Sequence, residues 1–146
     1  MNQEKASMPP GGFMHKIIWG ALLWSQFIYA FVCYTTQGDF LFNIEEAEQG
    51  VVFVILSGVA LVASVLLPKV LISKIKAVSI EESYQKHLLP LIIKLALLES
   101  IVIFGLVLSF NSEKNFVAPF LVVSVIGFLF SFPREGVVRK SVSLSA

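Results

Sequence analysis

The chain has 146 residues, 56% of them hydrophobic and 14% charged, with a formal net charge of +1. Its charges are confined to a few short segments between apolar stretches that fill more than half its length, which excludes a separate soluble domain. The single cysteine, Cys33, excludes an intrachain disulfide.

In chain order, residues 1–13 are polar and then run into Pro9-Pro10-Gly11-Gly12, which predicts a flexible cytoplasmic arm. The first apolar stretch, 17–36, matches the ~20 residues needed to cross ~30 Å of hydrocarbon. It is too long for a signal-peptide core, and no small-x-small site follows it. Bulky Phe31 and Val32 stand before Cys33 where a lipoprotein signal needs small residues, so Cys33 reads as a buried, inert thiol. Trp19 suits an anchor at the headgroups, and the deeper Trp24 is expected to pack against a neighbour. The loop 37–49 mixes acids with Phe40, Leu41, Phe42 and Ile44, a pattern for lying against the outer headgroups.

The second stretch, 50–67, holds Ser57, Gly58, Ala60, Ala63 and Ser64 among Val, Leu and Ile. Ser57, Ala60 and Ser64 share one face by three-and-four spacing and permit another backbone to approach, either within the chain or from a second copy. Pro68 marks an end or a kink, but Leu71, Ile75 and Val78 continue an apolar face opposite Lys69 and Lys76. That predicts a helix running on into the cytoplasm. Ser79 is the candidate N-cap of the next helix, with Glu81 and Glu82 in its first turn. The third stretch, 88–110, takes Pro90 near the interface, where a kink is tolerable. The fourth, 116–132, is the shortest. The expected architecture is all-α and polytopic: four transmembrane helices in helical hairpins over 14–133, with a cytoplasmic tail over 134–146.

Basic residues set the orientation. Lys16 precedes the first span, Lys69, Lys74, Lys76 and Lys86 separate the second and third, and Arg134, Arg139 and Lys140 follow the fourth. The first external loop carries Asp39, Glu45, Glu46 and Glu48 and no basic residue. All basic segments share one side only with both termini cytoplasmic, as for a protein of the bacterial cytoplasmic (inner) membrane. Membrane topology accounts for these residues without a nucleic-acid partner, and anionic headgroups are their expected company.

Enzyme signals are missing: there is no Gly-rich phosphate loop, no HExxH and no cysteine cluster. His15 and His87 lie near the cytoplasmic surface without complementary ligand spacing. No catalytic activity and no cofactor beyond H⁺ or Na⁺ is therefore expected.

Glu99 is the residue that carries a functional expectation. A carboxylate at bilayer depth costs ~2.5–3.5 kcal/mol on insertion scales, and such residues bind, relay or pair with cations. Gln26, Ser57, Glu99 and Ser124 fall at similar heights in the four spans, to within one or two turns at ~1.5 Å per residue, and Ser100 flanks the carboxylate. If they face one another, a protonated Glu99 donates to Gln26 or a serine oxygen, and an ionised one coordinates Na⁺. The alternative is interhelical hydrogen bonding that only holds the bundle together. Lys94 is five residues from Glu99, about 140° around the helix, and is expected to snorkel to the interface instead of pairing with it.

The run Ala96-Leu97-Leu98-Glu99-Ser100-Ile101-Val102-Ile103-Phe104-Gly105-Leu106-Val107-Leu108 resembles the outer helix of rotary ATPase c subunits (proteolipids). In that family an Ala-Leu-x-Glu pattern introduces the ion-carrying carboxylate. The resemblance covers the hairpin 50–110, with Ala96 and Glu99 at motif positions. Gly58 stands alone where the family's inner helix has alternating glycines, and Lys74, Lys76 and Ser79 occupy the region of its Arg-Gln-Pro turn. The resemblance implies a homo-oligomeric ring in which Glu99 binds H⁺ or Na⁺ or seals the ring interface. Gln26, Ser57 and Ser100 would complete its shell, and Ser57, Ala60 and Ser64 would pack copies together. A small proton-coupled cation or drug exporter is the second expectation. A non-catalytic scaffold or assembly factor among the subunits of a larger membrane complex is the third.

Overall fold

The computed structural model describes residues 10–44, 49–76 and 79–133. The expectations for residues 1–9, the acids 45–48, Val78 and the basic tail lie outside them. Four helices follow in order: α1 (Pro10–Gln37), α2 (Gly50–Ile72), α3 (Ile80–Ser112) and α4 (Val117–Phe130). No strand occurs among the described residues beyond one isolated bridge between Phe40 and Asn115. The first three helices are long and apolar enough to cross a membrane. The 14-residue α4 spans about 21 Å at ~1.5 Å per residue, shorter than the ~30 Å core. Their exposed surfaces are rows of Val, Leu, Ile and Phe, which marks the chain as an integral membrane protein.

Helix α1 starts seven residues before its apolar stretch, within the segment expected to be a flexible arm. Proline is well placed there, because the first helical residue needs no N–H partner. The glycine that follows is set by packing. A Cβ on Gly11 would sit 2.7 Å from the Cβ of Tyr84, so only glycine lets α1 come this close to α3. At the other end of the sequence pattern, Pro68 neither ends nor caps α2, which runs on to Ile72. The helix stops there, before Ile75, so the expected extension into the cytoplasm is a single turn. Ser79 caps α3 as expected, accepting from the Glu82 N–H at 3.2 Å, with Glu81 and Glu82 in the first turn. Pro90 is buried inside α3 and the helix is continuous through it.

Helix α3 is the hub. Helices α1, α2 and α4 all pack on it, α1 also touches α4, and α2 meets little else. Contacts from Gly11 with Tyr84 to Tyr29 with Glu99 make α1 parallel to α3. Phe53 against Phe104 and Gly105 against Phe120 place α2 and α4 antiparallel to it. The core lies along this axis, with Leu95, Leu98, Ile101 and Leu108 of α3 meeting Ala60, Phe120 and Phe128. The hairpin between α3 and α4 is closed by Ser109, whose hydroxyl donates to the Gly105 carbonyl (2.7 Å) and accepts from the Phe116 N–H (2.8 Å). Buried Asn115 then ties this turn to the first loop: its Nδ2 donates to the Gly38 carbonyl (2.8 Å), and its own carbonyl accepts from the Leu41 N–H (2.7 Å).

Two glycines on apolar helices make opposite expectations. A Cβ on Gly105 would lie 2.8 Å from the Phe120 Cβ, an atom that cannot swing away, whereas one on Gly58 meets nothing within 4 Å. Gly105→Ala is therefore expected to cost ~1–3 kcal/mol of stability by overpacking. Gly58→Ala should be neutral or stabilising by up to ~1 kcal/mol. Unfolding in mixed micelles with increasing denaturing detergent measures both, and equal effects would contradict the packing described.

Candidate functional site: the Glu99 carboxyl at the α1–α3 seam

Ser25 and Tyr29 are four residues apart, so both hydroxyls project from one face of α1. That face meets α3 at Glu99. The Ser25 hydroxyl lies 2.7 Å from Glu99 Oε1 and the Tyr29 hydroxyl 3.0 Å from the same oxygen. Ser25 Oγ is also 2.7 Å from the Leu22 carbonyl oxygen one turn back. A serine has one hydrogen and two lone pairs, so these contacts suit either state of the acid. With Glu99 ionised, Ser25 and Tyr29 both donate to Oε1. With Glu99 protonated, the acid donates to Ser25 Oγ, which turns its own hydrogen to the Leu22 carbonyl. The acid and both hydroxyls keep a partner in either state, and the Leu22 carbonyl receives the Ser25 hydrogen only in the protonated one.

Glu99 is partly exposed, and its neighbours along the helix explain where. Ile92, Ala96 and Ile103 recur with it at spacings of four, three and four, and all three are exposed. Glu99 thus lies on the outer stripe of α3, at the edge where α1 begins to cover it. It opens sideways, towards the exposed stripe of α3.

The polar residues expected around the acid do not converge on it. Gln26 is fully buried, about 100° around α1 from Ser25, and neither amide atom has a hydrogen-bond partner among the described residues. Ser57 is buried with its hydroxyl likewise unpartnered. Ser100 donates to the Leu97 carbonyl of its own turn (2.7 Å), and Ser124 crosses from α4 to the Leu98 carbonyl (2.6 Å). The hydroxyls on Glu99 are thus those of Ser25 and Tyr29, and Gln26, Ser57 and Ser100 make no hydrogen bond to it. Ser57, Ala60 and Ser64, expected as a surface for packing copies together, are buried within the one chain, where α2 lies on α3.

Other candidates also take definite places. Trp19 donates its Nε1–H to the Phe128 carbonyl (2.9 Å) and stacks edge-on to Phe132. Trp24 is 68% exposed and packs on no other helix through a ring contact, only near Phe27 of its own. His15 and His87 are both buried; His15 Nε2 donates to the Tyr84 carbonyl (2.9 Å), and His87 Nδ1 donates to the Ser83 carbonyl (2.8 Å). No group of three or more metal-ligating side chains occurs among the described residues. Cys33 is buried. Comparison of the chain with family models, with curated proteins and with solved structures finds no match.

An amide buried without partners costs more than an apolar side chain of the same shape. Gln26→Leu is therefore expected to stabilise the fold by ~1 kcal/mol or more, whereas Ser25→Ala is expected to destabilise it by up to ~1.5 kcal/mol. Unfolding titrations compare the two, and a destabilised Gln26→Leu would show that the amide holds a water or ion.

Proposed function

We propose that the protein is a proton-binding subunit of a membrane assembly, with Glu99 taking up and releasing H⁺ at the lateral surface of the bundle. The observation that carries this reading is the Ser25 hydroxyl, poised at 2.7 Å between Glu99 and the Leu22 carbonyl. A contact built only to hold helices together needs one protonation state, whereas this one is satisfied in two. Protons suit the site better than Na⁺, because hard cations are held by several oxygens at once. Among the described residues, two side-chain hydroxyls reach Glu99.

The outer position of Glu99 also favours an oligomer over an exporter, whose acid would line a path through the bundle. A carboxyl on a lateral stripe is shielded from lipid when a neighbour covers it, and a second copy of the chain in a ring is that neighbour. The resemblance of residues 96–108 to the outer helix of c subunits supports the same arrangement. Copies would then meet on the Glu99 side, since the small-residue face of α2 is occupied within the chain.

Dicyclohexylcarbodiimide reacts with protonated carboxyls in apolar surroundings and tests the site directly. It should modify Glu99 selectively, faster as pH falls, with no protection by Na⁺, and Glu99→Gln should abolish labelling while the protein stays folded. Labelling that is absent at every pH would overturn proton binding, and protection by Na⁺ would assign the site to that ion instead.

The orientation belongs to the same reading: the end bearing Lys69, Lys74, Lys76 and Lys86 faces the cytoplasm of a bacterial cell, with both termini on that side. In a Cys33→Ser background, a membrane-impermeant maleimide should label Asp39→Cys in intact cells and Ser73→Cys only after lysis. Both positions are exposed. The opposite pattern would invert the topology.

A further inference from the structure

Helices α2 and α4 both pack on α3 but hardly on each other, and the gap between them is a groove of about 460 Å³. Its volume is within the ~300–1,000 Å³ of small-molecule sites. The walls are apolar: Leu61 and Val65 of α2, Leu98 of α3, and Val123 and Ile126 of α4. Lys94 enters this groove from α3. It stands about 9 Å inside the apolar run that begins at residue 88, at ~1.5 Å per residue. It makes no ion pair and no hydrogen bond among the described residues, where Lys86 with Glu82 is the pair present.

The other polar groups on the groove do not serve it. The Ser64 hydroxyl donates to the Leu61 carbonyl (2.7 Å) and the Ser131 hydroxyl to the Gly127 carbonyl (2.6 Å), so their hydrogens are taken within their own helices. Glu99 cannot help, because it faces α1. An ammonium group without a counter-ion among the described residues thus stands in an apolar trough. Desolvating an ammonium without an anion is costly, and lipid tails cannot supply one.

We infer that this groove is a binding site for an anionic phospholipid, with its phosphate on Lys94 and one acyl chain lying between α2 and α4. The charge selects the headgroup and the apolar walls select a chain, so inorganic phosphate alone lacks half of the contacts. The inference stands apart from proton binding, since Lys94 and Glu99 lie on different sides of α3.

Native mass spectrometry of the purified protein tests it, with phosphatidylglycerol and phosphatidylcholine of identical chains titrated separately. Phosphatidylglycerol should remain bound as a single adduct at concentrations where phosphatidylcholine does not. Lys94→Ala should weaken it about fivefold, the weight of one basic residue at an anionic surface, and Lys94→Arg should restore it. Val123→Trp, which fills the trough but leaves Lys94, should remove the adduct while circular dichroism stays helical. If that variant fails to fold, Ile126→Phe is the second filling variant. Equal retention of the two lipids, or an adduct insensitive to both Lys94→Ala and the filling variant, overturns the inference. A groove occupied by a second copy would instead give a lipid-free dimer that the filling variant dissociates, and that result also overturns it.

Discussion

A carboxyl in hydrocarbon has no water to complete its hydrogen bonds, and the way α1 lies on α3 answers that constraint. Each polar group at this depth must find a partner in protein or remain a standing cost. Ser25 and Tyr29 supply two hydroxyls to one oxygen of Glu99 from a single helical face. Their reach sets the rotation of α1 about its axis. That rotation turns Gln26 inward, brings Cys33 and Ala30 against Val102 and Val117, and leaves Trp24 outside. The same helix is held at both ends by unrelated contacts, Gly11 against Tyr84 and Gly38 to Asn115. With those ends fixed, α1 has little freedom to carry the hydroxyls away from the acid.

The hub position of α3 follows from where the small residues are. Helix association in a membrane gains nothing from expelling water, so it depends on close packing. Gly105 admits Phe120, Gly127 of α4 admits Leu98, and Ser57, Ala60 and Ser64 let α2 lie down on α3. Two partners are thereby drawn to one helix. Since α2 and α4 are both attached to α3 rather than to each other, a lateral groove between them is the geometric consequence. The short α4 contributes to it by leaving the hairpin end near Ser131 while α2 continues to Ile72.

Much of this was legible in the residue order, and the part that was not has a specific reason. Apolar runs of the right length announced four helices, and the Ser79 cap could be placed to the residue because capping is local chemistry. The polar layer was legible as heights, since rise along a helix is fixed, but not as contacts, which depend on rotation about each axis. One residue turns a helix by ~100°, enough to exchange Gln26 for Ser25 as the partner of Glu99. The Ser25–Tyr29 spacing of four was the available signal, two hydroxyls on one face near the right depth. Gly11 and Pro10 misled for a related reason: their local preference is for a turn, and a tertiary contact with Tyr84 overrides it.

Glu99 and Lys94 illustrate how a helix can carry two opposite charges in a membrane without neutralising them. A separation of five residues puts them about 140° apart on α3, too far around for an ion pair. Had they been four apart, the pair would have satisfied itself, and neither group would retain any demand on what lies outside the bundle. Instead each charge opens at a different lateral surface. The acid is shared between α1 and the membrane-facing stripe, and the amine lies in the groove between α2 and α4. A charge that is only half satisfied by its own chain selects for something that completes it. On one side of α3 the proposed completion is a proton or a covering neighbour, and on the other the anion of a lipid. The spacing that forbids the internal pair is therefore what makes both surfaces available for binding.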